Sequence, residues 1–199
     1  YVSSIYKAYD IRGIYPKQLN EGIARDIGAA FGTIFNGKIV VGHDVRLSSH
    51  SLKESVIDGL LSTGNTVVDI GMVCTPIVPF AINSFGYDGG IMITASHNPP
   101  EYNGVKVVAD DGIELSREQE IEIENIFSNE RRIKQAHWKD IGRIFELPEV
   151  LSVYNKAIER HVDIGAIKNR HFHVVVDPGN GVGALTAPYV LRELGCCLL

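Results

Sequence analysis

The chain has 199 residues, of which 45% are hydrophobic and 22% charged, with a formal net charge of −5. This is the composition of a globular protein with room for one full domain and part of another, and it carries no overall basic field for nucleic acid. No apolar run approaches the roughly 20 residues of a membrane span, and the start, YVSSIYKAYDIRG, lacks the basic end and apolar stretch of a signal peptide.

Apolar periods then alternate along the chain. Leu19, Ile23, Ile27, Phe31 and Ile34 recur at helical spacing, which predicts an amphipathic helix over about 17–36, closed by Gly37. KIVVG (38–42) is a short β-branched strand. SHSLKESVIDGLLSTG follows as a helix with Leu52, Val56, Leu60 and Leu61 on one face, a Ser51–Glu54 capping box and Gly64 at its end. TVVDIG is the next strand, and TPIVPFAINSFG a short helix opened by proline. GGIMIT and GVKVVA are two further strands joined too briefly for a helical crossover, so this pair is expected to be antiparallel. SREQEIEIENIFSN is a polar, capped helix. Composition turns mixed and basic over about 130–150, which is taken as the boundary between a first domain, 1–148, and the start of a second, 149–199. In the second, EVLSVYNKAIERHV is a helix, and HFHVVVDPGNGVGALTAPYVLRELG reads as strand, glycine-rich turn and helix. CCLL opens another strand. A βαβ unit does not close on four residues, so the chain reads as the N-terminal portion of a longer protein. Such alternation implies an α/β protein: a three-layer α/β/α domain on a mostly parallel mixed sheet, then an incomplete second α/β domain. Cys74, Cys196 and Cys197 suit neither a disulfide framework nor a zinc site. They read as reduced thiols in a cytoplasmic protein, with Cys74 packed.

In such sheets functional groups gather beyond the carboxyl ends of strands. TASHNPPEYNGVK, Thr94 to Lys106, lies there, and so does GHDVR after the first strand. Pro99 and Pro100 stiffen the loop, Asn98 is pushed towards extended geometry, and Gly104 permits close approach or a turn. The result is a rigid ledge presenting Ser96, with Lys106 on the returning strand. A serine hydroxyl needs a base, or prior modification, to react. A lysine nearby can neutralise phosphate oxygens or move a proton. On residues alone, a capped turn between two strands explains the loop as well. A serine hydrolase using Ser96 and His97 is a further reading, but no G-x-S-x-G elbow surrounds the serine and adjacent side chains usually diverge.

TASHNPPEYNGVK resembles the active-site loop of the α-D-phosphohexomutases. KAYDIRGIYP resembles their N-terminal signature, VGHDVRLSS a third motif, and VDPGNGVG the opening of their second domain. The four stand in the family's order over 7–183, and the first two look most like the phosphomannomutase/phosphoglucomutase branch. The resemblance implies that Ser96 carries a phosphoryl group and exchanges it with a hexose phosphate (mannose, glucose or both). A hexose 1,6-bisphosphate then serves as intermediate and activator. It implies that Lys106 is a general acid/base or a charge partner of the phosphate. His97 does either job or orients the loop. Arg12 clamps phosphate or makes a structural salt bridge to Asp10 or another carboxylate. Tyr9 is a wall of the cleft or core, and Asn98 shapes the loop beside bound phosphate. Arg46 supports the site or fixes the start of the next helix, and the second is preferred on sequence. His43 departs from the arginine common at its place and receives no role. DPGNGVG reads as a structural turn, and Asp110 and Asp111 as a hairpin turn rather than a metal site.

One Mg²⁺ is implied, held by the Ser96 phosphate and by an aspartate loop that these residues do not contain. The expected partner is a small phosphosugar, with no nucleic acid or membrane, and the unfinished second domain allows a homodimer. This portion alone is expected to be inactive. The alternative is a short non-catalytic paralogue that binds a phosphosugar or a protein.

Overall fold

The computed structural model describes residues 6–7, 10–129 and 132–199. In chain order the elements are β1 (Tyr6–Lys7), β2 (Asp10–Ile14), α1 (Glu21–Ile34), β3 (Lys38–His43), α2 (Ser49–Ser62), β4 (Thr66–Met72), α3 (Ile77–Phe85), β5 (Gly89–Ile93) and β6 (Tyr102–Val108). Then come α4 (Arg117–Phe127), β7 (Ile144–Glu146), α5 (Val150–Glu159), α6 (Ile164–Arg170), β8 (His173–Val174), a 3₁₀ turn (Val182–Leu185), α7 (Ala187–Glu193) and β9 (Cys197–Leu198).

The main sheet has seven strands in the order β1-β2-β6-β5-β3-β4-β7. β5, β3, β4 and β7 pair in parallel, while β6, β2 and β1 join antiparallel in succession, so five strands point one way and two the other. The antiparallel β5–β6 hairpin is as predicted. β3 and β5 are central and covered on both faces. That is why they read as continuous apolar runs instead of alternating ones.

The pleat sends alternate residues into two cores. Ile39, Val41, Ile91 and Val105 face α1, α2 and α4, packing on Ile27, Leu52, Val56 and Ile123. Val40, Val68 and Met92 face α3 and α5, packing on Ile77, Val78, Ile82 and Val150. The three-layer α/β/α expectation therefore holds. α5 begins within the second core, and its Tyr154 ring meets Phe80 of α3 edge-on at 5.1 Å. The helix read from sequence as opening a second domain thus packs on the first sheet. A separate parallel pair, β8–β9, carries the last strands.

Local chemistry explains most boundaries. Asn20 caps α1 by accepting from Ile23 N, and Ser116 with Gln119 forms a full capping box on α4. α1 and α2 approach closely because Gly59 has no side chain. A Cβ there would lie 2.1 Å from the Arg25 carbonyl oxygen. The capping box predicted at Ser51 and Glu54 does not form. Ser48 is the N-cap, without a side-chain cap bond, and the Ser51 hydroxyl donates to Glu21 on α1 instead. The turn at 109–113 closes with Gly112 at φ 78 and Ile113 N donating to Asp111 Oδ1, so Asp111 serves the turn. The three cysteines are free. Among the described residues no helix is long and apolar enough to cross a membrane.

His43, at the carboxyl end of β3, is buried and donates from Nδ1 to the Asp44 carbonyl 2.7 Å away. Burial pushes its pKa below the ordinary 6.5, and Lys53 and His50 add to this against the Asp44 carbonyl and Asp69. The folded state therefore resists a proton that the unfolded chain accepts. His43's contribution to stability is complete above pH 6.5 and is lost as pH falls from there towards its lowered value. Wild type should thus lose urea midpoint between about pH 7.5 and about pH 5.5, and His43→Gln should lose less over the same interval. Equal losses in both proteins would remove His43 as the source.

Candidate active site

The carboxyl ends of β3 and β5 lie side by side, and the segments leaving them build one cleft of about 750 Å³. Asp44 and Arg46 follow β3, and Thr94, Ser96, His97 and Asn98 follow β5. Asn180, Gly181 and Val182, from the glycine-rich turn ahead of α7, line it too. That turn, expected to serve as a structural corner, also borders the cleft. Asn180 takes the left-handed region at φ 62 beside Gly179 at φ 56, which turns this corner towards the cleft.

The serine loop is built on a buried carboxylate. Asp44 is 7% exposed, and it accepts from Ser49 Oγ at 2.5 Å, Arg46 N at 3.0 Å and Thr94 Oγ1 at 2.7 Å. Thr94 Oγ1 in turn accepts from Ser96 N at 2.9 Å. The chain then enters the left-handed region at Ser96, φ 55, a conformation that costs a non-glycine residue of order 1 kcal/mol or more and is held here by its surroundings. This backbone turn brings the side chains of neighbours 96 and 97 together, with Ser96 Oγ 3.3 Å from His97 Nδ1. The divergence expected of adjacent residues fails for that reason. Among the described residues no carboxylate holds His97, so the acid-imidazole-serine relay of a hydrolase is not assembled.

The other predicted site residues fall in different places. Arg12, on β2 opposite Gly104, donates from Nη1 to Asn98 Oδ1 at 2.7 Å, so these two meet at the loop's back. Gly104 permits this approach, since a Cβ there would lie 2.7 Å from the Thr94 carbonyl oxygen and 3.0 Å from Arg12 Cγ. Lys106 turns away. Its ammonium sits 2.5 Å from Glu114 Oε1, and it is not among the described residues lining the cleft. Tyr9 lies outside the described residues.

Arg46 accepts from Ser49 N at the start of α2 through its backbone, while its side chain supports the site. Its guanidinium donates to the carbonyls of Pro99 at 2.7 Å, Tyr102 at 3.0 Å, Ser96 at 2.9 Å and Asn98 at 2.7 Å. Asp44 and Thr94 were not singled out from sequence. The available signal was an acid and a base two residues apart just beyond a strand buried from Ile39 onwards, where a charge needs partners. Asn103 completes the underside, donating to the hydroxyls of Ser48 and Ser49. Ser48, the N-cap of α2, and Ser49 thus turn their hydroxyls to the loop.

A doubly covered α/β sheet with a rigid, hydroxyl-bearing loop at the mouth of a cleft beyond its strand ends has the architecture in which α/β proteins hold small ligands. The family profile described as "Phosphoglucomutase/phosphomannomutase, alpha/beta/alpha domain I" matches residues 3–134. The chain belongs to the phosphoglucomutase/phosphomannomutase family. It is 43% identical over 201 residues to a phosphoglucomutase/phosphomannomutase of Thermococcus kodakarensis, covering 98% of this chain and 44% of the relative. It is 46% identical over 189 residues to a phosphoglucosamine/phosphogalactosamine mutase of Sulfurisphaera tokodaii, covering 94% and 41%. Among solved structures, a phosphoglucomutase/phosphomannomutase family protein of Burkholderia thailandensis superimposes with a TM-score of 0.82 at 36% identity, over 98% of this chain and 43% of that one. The chain thus spans less than half the length of these relatives. Relatives named for amino sugars match it as well as those named for glucose and mannose, so overall identity does not separate the sugar classes.

Proposed function

We propose that the protein to which this chain belongs interconverts hexose 1-phosphates and hexose 6-phosphates, with Ser96 as the phosphoryl carrier. The carrying observation is the Ser96 ledge: an open hydroxyl, set by a left-handed backbone and a saturated hydrogen-bond scaffold, facing a cleft in a chain of this family. In-line transfer needs such fixed geometry more than it needs covalent chemistry from the protein.

In this reading the bond from Ser96 Oγ to phosphorus breaks as a sugar hydroxyl attacks, and the hydroxyl's proton passes to His97, or to Lys106 once that side chain has left Glu114 and given up its own proton. The product is a hexose 1,6-bisphosphate. After it reorients, its other phosphoryl group returns to Ser96 Oγ and leaves the isomeric monophosphate. His97, 3.3 Å from Oγ, is placed to steady the phosphate, and Arg12 and Asn98 support the ledge from behind. The reading includes Mg²⁺, which supplies charge neutralisation on the transferring group when bound. From the described residues it would find only the Ser96 phosphate, because Asp44 is saturated and no group of three potential ligands occurs. No step is derived through it.

A cytoplasmic enzyme agrees with the three free cysteines. We take 1–148 as its first domain and 149–199 as the opening of a second. A hexosamine phosphate is the second substrate reading, favoured by the 46% identity to the amino-sugar mutase.

The test is to incubate the full-length protein with glucose 1,6-bisphosphate and map the gain of one phosphoryl group, about 80 Da, by peptide mass. Coupled assays on the 1-phosphates of glucose, mannose and glucosamine would accompany it. Phosphate on another residue, or turnover with none bound, would remove Ser96 from the role. If Lys106 leaves Glu114 for the cleft when substrate binds, Lys106→Ala should lower turnover roughly 10²–10⁴-fold, the range of a lost acid/base group. Its melting temperature should stay within a few degrees, since the Glu114 pair is solvent-exposed on one side and worth at most about 1 kcal/mol. A large melting shift with normal turnover would make Lys106 structural.

A further inference from the structure

The loop's geometry must be maintained against backbone strain at Ser96, and beside Asp44 and Thr94 one further side chain serves that task. Arg46 has five N–H donors in a planar fork. Its Nη1 serves the carbonyls of Pro99 and Tyr102, and its Nη2 those of Ser96 and Asn98. Its Nε lies 3.3 Å from Asp44 Oδ2, and its side chain is only 11% exposed. All four Nη hydrogens of the fork are thus directed at protein, with none of them left for a ligand. Two prolines remove donors from the loop, so its carbonyls outnumber the amides that could satisfy them. The guanidinium makes up the difference. It binds carbonyls on both sides of the Pro99–Pro100 bend, including that of Ser96 itself.

We propose that Arg46, held by Asp44, is a positioning residue that locks the phosphoryl-carrying loop from beneath, and that it does not bind the substrate phosphate although it borders the cleft. The proposal rests on the function proposed for Ser96, but its structural half stands apart from that function. A lysine at 46 would keep the charge but supply three donors from a single point. It could not reach four carbonyls spread over Ser96 to Tyr102. Charge alone therefore does not substitute for the fork.

The experiment uses the full-length protein with Arg46→Lys and Asp44→Asn, the second being isosteric and serving if the first folds poorly. Amide hydrogen exchange over 94–103 reads the loop without reference to activity. Mutase kinetics read the chemistry. Both variants should exchange at least about tenfold faster in that segment, with the β3 and β4 segments unchanged. Their kcat should fall about 10²-fold, the scale of a roughly 1 Å misplacement, while KM moves less than about threefold. A raised KM with unchanged kcat in Arg46→Lys would make Arg46 a substrate ligand and overturn the proposal. So would wild-type exchange in the loop. Absence of mutase turnover in the wild type would overturn the function proposed for Ser96, and the exchange measurement would still decide whether Arg46 locks the loop.

Discussion

Ser96→Ala in the full-length protein is expected to reduce sugar 1-phosphate/6-phosphate exchange by roughly a thousandfold or more, the scale reached when a covalent carrier is removed. The substitution deletes one oxygen. Its hydrogen-bonded neighbour is the His97 ring, and the bonds that shape the loop use Ser96 backbone atoms. Alanine also tolerates the left-handed φ of 55 about as badly as serine, so the fold should change little. A large rate loss at constant melting temperature would thus belong to the hydroxyl. Measured by coupled assay with added glucose 1,6-bisphosphate, wild-type turnover in Ser96→Ala would show that the phosphoryl group passes without this oxygen.

The loop was legible in the sequence because its residue types carry geometry. Two prolines, a serine at a strand end and a glycine on the returning strand all constrain backbone directly, and the antiparallel hairpin followed from loop length alone. What joins the loop to the rest of the molecule was not legible. Arg46 reaches carbonyls more than 50 positions away, and carbonyls have no residue type to announce them. The Ser96–His97 contact depended on a positive φ that serine rarely adopts. The same limit applies to the fold. β3 and β5 are buried runs that announce themselves. β7 is three exposed residues, Ile144–Glu146, which become a strand only because β4 offers a free edge at Val67–Asp69. The serines at 48 and 49 had the composition of caps, yet a buried Asp44 and Asn103 competed for their hydroxyls and won.

The largest stability effect is expected at Asp69, away from the cleft. Lys53 of α2 is buried with its side chain 5% exposed, and its ammonium is bonded to Asp69 and, at 3.0 Å, to Glu54. Burial alone would push the lysine towards neutrality, but the bonds to Asp69 and Glu54 outweigh it and raise its pKa. The ammonium therefore stays charged at neutral pH and depends on those partners. Asp69→Ala would leave it facing only Glu54, whose side chain is 52% exposed. Removing one partner of a buried pair costs about 3–5 kcal/mol, which for a chain of this size is a melting shift of roughly 6–20 °C. Asp69 also accepts from Gly71 N, where β4 slips register against β3, so the strand end would loosen as well. The double change Lys53→Met with Asp69→Ala removes both charges and should recover most of the loss, because an apolar replacement of a buried pair is often neutral. Thermal melts of the wild type, both single variants and the double variant decide it. A melting temperature within about 2 °C of wild type in Asp69→Ala would mean that Glu54 and water already satisfy Lys53. Failure of the double variant to recover would place the energy in the Gly71 bond instead of the ion pair.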